Sequence, residues 1–206
     1  MPNFQAGLDA DLACYATIRP MAERSLSPRI APLEQAELTP EQDELLATLG
    51  ENRSMHIFRT LVRHPRLFRR WSPFGGHLLR RGRLAARDRE LVILRTAWRC
   101  GCAYEWAQHV AIAGEAGLSR AEIRRVAEGP AAPGWAAEDA TLLSAVDELH
   151  DQHRIADETW GRLAVRFGEQ ELIELTMLAG HYALLAGTLN SLGGQPEVPL
   201  AALGEA

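Results

Sequence analysis

Apolar residues recur along this chain three and four positions apart, with polar residues between them, and no alternating strand pattern competes. Met55, Phe58, Leu61 and Val62 keep that rhythm, as do Leu67, Phe68, Trp71, Leu78 and Leu79. Thr39-Pro40-Glu41-Gln42 predicts a helix start, with Thr39 as cap, Pro40 at the first position and an acid in the first turn. That helix should run to about Leu49. Asn52 is the expected cap of the next, which breaks or restarts at His64-Pro65. Ala86 to Arg99 predicts a strong helix with Leu91, Val92, Leu94 and Ala97 inward. Gly101 interrupts it, a second helix begins about Cys102 and runs to Ala116, and Gly117 ends that one in a left-handed turn. Ser119, with Glu122 three residues on, is a capping box. Further helices are expected from Glu138 to His150, from Asp157 to about Phe167, and from Glu169 or Gln170 to Leu192, closed by Gly193-Gly194. The expected fold is all-α.

Prolines 20, 28, 32 and 40 make residues 1–40 a short first helix followed by an extended arm. Residues 41–195 form the helical domain, and residues 196–206 a loosely held tail. A faint internal echo links Arg89-Glu90-Leu91-Val92-Ile93-Leu94 with Gln170-Glu171-Leu172-Ile173-Glu174-Leu175. His109 lies nineteen residues after Glu90, and Asn190 nineteen after Glu171. Two pseudosymmetric helical-hairpin units would explain the echo; so would chance between two Leu-rich helices.

Composition narrows the function classes. With 206 residues, 47% of them hydrophobic, the chain can bury a sizeable core without covalent staples. Cys14, Cys100 and Cys102 cannot build a disulfide framework, and Met1 to Leu12 lacks the basic and apolar regions of a secretory signal. A reducing cytoplasm is the expected compartment. The charge-free run Leu175 to Gln195 contains His181, Asn190 and several glycines, so it reads as a buried core or subunit helix and not as a membrane span. The net charge of −5 argues against a nucleic-acid partner. It is unevenly spread: Arg53 to Arg99 holds thirteen arginines against Asp88 and Glu90, and the remainder is strongly acidic. Helix faces paired with those acids are one account of the block. A positive field that draws a carboxylate-bearing substrate is the other.

The densest candidate chemistry lies between Arg87 and His109. Cys102, Glu105 and His109 are spaced three and four apart, which places them on one stripe of a helix. Cys102 would stand at the helix N-terminus, where free amides favour a thiolate. His109 is the natural proton carrier near neutral pH. Two antiparallel helices joined at Gly101 would bring Glu90 against His109. Tyr104 and Trp106 would supply apolar walls that raise carboxylate pKa values. The bland readings stay open beside these. Glu90–His109 could be a buried ion pair that sets helix register, Cys102 a small apolar residue, and Trp98, Tyr104 and Trp106 simple core. His150 and His153 fit a solvated face. His181-Tyr182 would either line a cavity or pack at a subunit contact. The helical spacing does not match the common zinc signatures, so no metal is expected. No phosphate loop or serine-nucleophile elbow is present.

The pattern of Glu90, Cys102, Glu105 and His109, with Tyr104-Glu105-Trp106 and Gly117-Leu118-Ser119, resembles the carboxymuconolactone decarboxylase and AhpD-like alkylhydroperoxidase superfamily. The likeness spans roughly residues 40 to 195. It implies an oligomeric helical bundle, as a dimer, trimer or hexamer, and in the hydroperoxidase branch a proton relay through Glu90, Cys102, Glu105 and His109 around a Cys-x-x-Cys pair. Here Glu105 stands where the second cysteine would be, so an internal disulfide at that spacing cannot form. A Cys100–Cys102 couple would need a bend at Gly101. The decarboxylase branch implies a cofactor-free enzyme acting on a small lactone or carboxylate. His109 would then be the acid or base, Glu90 would tune it, and Glu105 would be a second proton carrier. Arg87 or Arg95 would clamp the substrate beside Tyr104 and Trp106, in an enclosed pocket. The alternatives are a thiol peroxidase using Cys102, with an antioxidant role, and a non-catalytic oligomeric scaffold.

Overall fold

The computed structural model describes residues 27–197. Among them are nine α-helices and no strand. The expected first helix within residues 1–40 and the tail beyond 197 lie outside the described residues. In chain order the helices are α1 (Pro40–Ala47), α2 (His56–Leu61), α3 (Pro65–Arg80), α4 (Ala86–Arg99), α5 (Ala103–Glu115), α6 (Arg120–Glu128), α7 (Ala137–Gln152), α8 (Asp157–Arg166) and α9 (Glu169–Leu192).

Local chemistry fixes most of the boundaries. Thr39 caps α1 by accepting from the Gln42 amide, and the Gln42 side chain returns the bond to the Thr39 amide. His64 caps α3 with its imidazole, and Pro65 takes the first helical position. Gly101, at φ 61°, turns the chain between α4 and α5 in a conformation that glycine adopts without strain. Ser119 and Glu122 make the expected box at α6. One expectation fails: Asn52 is not a cap. Residues Gly50–Ser54 form a 3-10 turn, and α2 starts four residues later behind Met55. Thr60 and Ile57 are buried on this short helix, and its first two amides donate to Glu197 and to the Tyr104 hydroxyl, so groups far along the chain position it in place of a local cap.

α4 is the central rod. Glu90 to Ala97 is buried on every side, because α5, α6, α7 and α9 surround it. A helix apolar all round is a core helix, and the run Leu91-Val92-Ile93-Leu94 supplies that surface. The entry to α4 is held from a distance. The Glu174 carboxylate on α9 accepts from the amides of Arg83 and Leu84 at 2.7 and 3.0 Å. α9 is long and apolar enough to cross a membrane, yet 56% of that window is buried against the other helices, as the charge-free run suggested for a core helix. α9 is also unbroken, so Glu171 and Asn190 sit about 28 Å apart on one rod. The sequence echo therefore does not rest on a second hairpin like α4–α5.

Part of the basic block pairs with the acidic remainder. Arg53 meets Asp43, Arg69 meets Glu41, Arg87 bridges Glu122 and Asp139, Arg95 meets Asp147, and Arg99 meets Asp151. The paired-face account of the charge pattern describes these arginines.

Candidate functional site

The turn at Gly101 sends α5 back along α4. Glu90, three turns before the end of α4, then meets His109, two turns into α5. The His109 Nδ1 lies 2.7 Å from Glu90 Oε2, and both side chains are buried. Glu90 Oε1 accepts from the Arg89 Nε at 2.9 Å. With Glu90 as acceptor, Nδ1 carries the imidazole proton and Nε2 is the accepting nitrogen. That Nε2 faces Glu105 Oε2 at 3.6 Å, one turn back on α5. This is longer than a hydrogen bond. The other Glu105 oxygen, Oε1, is buried without a hydrogen-bond partner among the described residues. The Tyr182 ring of α9 closes the group edge-on to His109, with ring centroids 5.1 Å apart.

The electrostatics follow from that dry packing. Burial pushes the Glu105 carboxyl up to about 7, against a smaller lowering by His109. A carboxyl that exchanges its proton near neutrality, beside an imidazole, is suited to acid–base work. Cys102 is the residue before α5 and is fully buried. Burial pushes its thiol up to about 12, the Glu105 charge adds to the rise, and the amides of Glu105 and Tyr104 only partly oppose it. The helix start does not deliver the expected thiolate, because desolvation outweighs the amides.

The remaining expected residues divide. Trp106 packs on Trp98 with centroids 5.4 Å apart, within the main core. Tyr104 turns the other way: its hydroxyl accepts from the Ile57 amide at 3.2 Å and donates to Glu197 at 2.9 Å. Arg87 and Arg95 are both paired with acids of the neighbouring helices. Arg87 is held between Glu122 and Asp139 at 2.7 and 2.6 Å. Arg95 binds both oxygens of Asp147 and the Val126 and Ala127 carbonyls. Their position on α4 turns both toward α6 and α7. The enclosed pocket expected around Glu90, Glu105, Trp106 and His109 is not either of two clefts of about 340 and 610 Å³, which are lined by other residues. These four residues are each at most 4% exposed. His150 and His153 are exposed; His150 Nδ1 lies 3.8 Å from the Cys100 sulfur. His181 stacks on Trp71 and meets Phe74 edge-on, and burial lowers its pKa.

The sequence reading missed Arg89, although it stands beside Glu90. Alternating charges in Arg87-Asp88-Arg89-Glu90 gave no sign of which arginine turns inward. Tyr182 was noticed but left between two roles; the structure puts its ring on His109.

Residues 65–148 match the carboxymuconolactone decarboxylase family. That segment contains Glu90, Cys102, Glu105 and His109, so the resemblance read from those residues holds. Among curated proteins, none matches the chain. Solved structures share the fold of this chain. An uncharacterized peroxidase-related protein from Ralstonia eutropha, an alkylhydroperoxidase AhpD core, is 17% identical with a TM-score of 0.71, over 86% of this chain and 97% of that one. The debrominase Bmp8 is 16% identical with a TM-score of 0.71, over 88% and 99% of the two chains. A cysteine-to-alanine variant of Bmp8 is known in complex with 2,3,4-tribromopyrrole. At these identities the likeness establishes an AhpD-like all-helical fold.

Proposed function

We propose that this chain is an enzyme of the decarboxylase type, using His109 for cofactor-free proton transfer on a small carboxylate or lactone. The observation that carries the reading is the buried row Arg89–Glu90–His109–Glu105, in which an imidazole stands between two carboxylates. Glu90 orients the ring and supports positive charge on it. Glu105, poised near neutrality, gives or takes the second proton. In a decarboxylation, the bond to the departing carboxylate breaks and carbon dioxide leaves. The electron pair stays on carbon as an enolate, and His109 delivers the proton that forms the new C–H bond. Thiol chemistry at Cys102 has weaker support, because that thiol is buried and held protonated and Glu105 replaces the partner cysteine.

Association into a homo-oligomer belongs to the same proposal. Ile173, Met177 and Leu184 are 63%, 48% and 62% exposed along one side of α9, a surface suited to a second copy. A cytoplasmic location and the absence of nucleic-acid and membrane partners complete the reading.

The test is solvent-deuterium incorporation and carbon dioxide release from a panel of small lactone acids. His109→Asn should lower turnover at least about 100-fold, as expected for loss of a general acid or base. Cys102→Ser should keep most of it. Full turnover in His109→Asn would overturn the proposal.

A further inference from the structure

α4 carries four arginines, and three of them bind acids of the neighbouring helices. Arg87 is held by Glu122 and Asp139, Arg95 by Asp147, and Arg99 by Asp151. Arg89 is different. Its Nε donates to Glu90 Oε1 at 2.9 Å, and among the described residues its two terminal amino groups have no hydrogen-bond or ion-pair partner. Its side chain is 17% exposed, whereas that of Glu90 is fully buried. Arg89 is thus the member of the buried row that reaches the surface, with the outer edge of its guanidinium unspent.

We propose that Arg89 is the anion clamp of this site and holds a monocarboxylate through its two terminal amino groups. A planar guanidinium with one nitrogen fixed is pre-oriented for a two-pronged bond to a planar carboxylate. The fixing group is Glu90, whose other oxygen holds His109 at 2.7 Å. One carboxylate therefore ties the clamp to the imidazole. This deepens the proposed function and rests on it for the chemistry that follows binding, though not for binding itself.

The experiment is isothermal titration of the full chain with benzoate and with benzamide, its neutral counterpart. The wild type should bind benzoate saturably and benzamide at least tenfold more weakly. Arg89→Gln should weaken benzoate at least tenfold and leave benzamide unchanged. Arg89→Lys keeps a positive charge beside Glu90 and loses the fork; it should weaken benzoate several-fold, and it serves if the Gln variant does not fold. Unchanged benzoate affinity in either variant, or no benzoate binding by the wild type, overturns the clamp. His109→Asn should retain benzoate binding while losing deuterium incorporation. Full incorporation in that variant, with benzoate still lost in Arg89→Gln, would sink the acid–base reading and leave the clamp standing.

Discussion

Replacing Glu105 by Gln separates the energetics of the buried row from any assumption about substrate. Gln matches the neutral acid in shape and cannot ionise. Burial raises the Glu105 pKa from an ordinary 4.5 to about 7. Below pH 4.5 the folded and unfolded chains both hold that proton, and the acid is accommodated at no electrostatic cost. Between 4.5 and 7 the unfolded chain releases its proton while the folded chain keeps it, so wild-type stability falls as pH rises. Above 7 the loss levels off at about 3 kcal/mol, from about 1.4 kcal/mol per pH unit. Contributions from groups remote from Glu105 are shared by the two proteins and cancel in their difference, and the opposing effect of His109 is already contained in the raised value. Urea denaturation at fixed protein concentration, from pH 4.5 to 8, should show the Gln variant gaining about 3 kcal/mol on the wild type. A stability difference that does not change with pH would refute the argument that Glu105 is desolvated and unpartnered at one oxygen.

Three further outcomes follow from the packing. Gly82→Ala should cost about 2–3 kcal/mol in urea denaturation, because a Cβ there would sit 2.2 Å from Glu174 Oε1 and displace the carboxylate that holds the start of α4. Arg95→Met should cost about 3 kcal/mol by breaking a largely buried ion pair with Asp147, yet leave benzoate titration unchanged, unlike changes at Arg89. Iodoacetamide labelling at pH 8, read by peptide mass spectrometry, should modify half-buried Cys100 well before Cys102, whose buried thiol is pushed up to about 12; faster labelling of Cys102 would contradict its burial.

The helices were legible in the sequence because their ends carry their own chemistry. Thr39 with Gln42, Ser119 with Glu122, and Gly101 each act within a few residues, so local reading finds them. Asn52 misled because a good capping residue is also a good turn residue, and the packing of Ile57, with the distant acceptors Glu197 and Tyr104, decided where α2 begins. The Glu90–His109 contact was readable as well, since a tight turn between two helices leaves few ways to pair them. The identity of the inward arginine was not. Arg87, Arg89 and Arg95 lie at different angles and heights on α4, and which acids face Arg87 and Arg95 depends on where α6 and α7 settle. The tightness of the site was equally hidden: spacing places Cys102 at a helix start but does not show how much core covers it.

The central claim is that an imidazole on α5 shares a buried proton with a carboxylate on α4. Proton–nitrogen NMR of the imidazole groups tests this directly. A strongly deshielded, slowly exchanging Nδ1–H resonance assigned to His109 is expected, displaced or lost in Glu90→Gln. A His109 ring proton exchanging at the rate of exposed His153, or a resonance indifferent to Glu90→Gln, would contradict it.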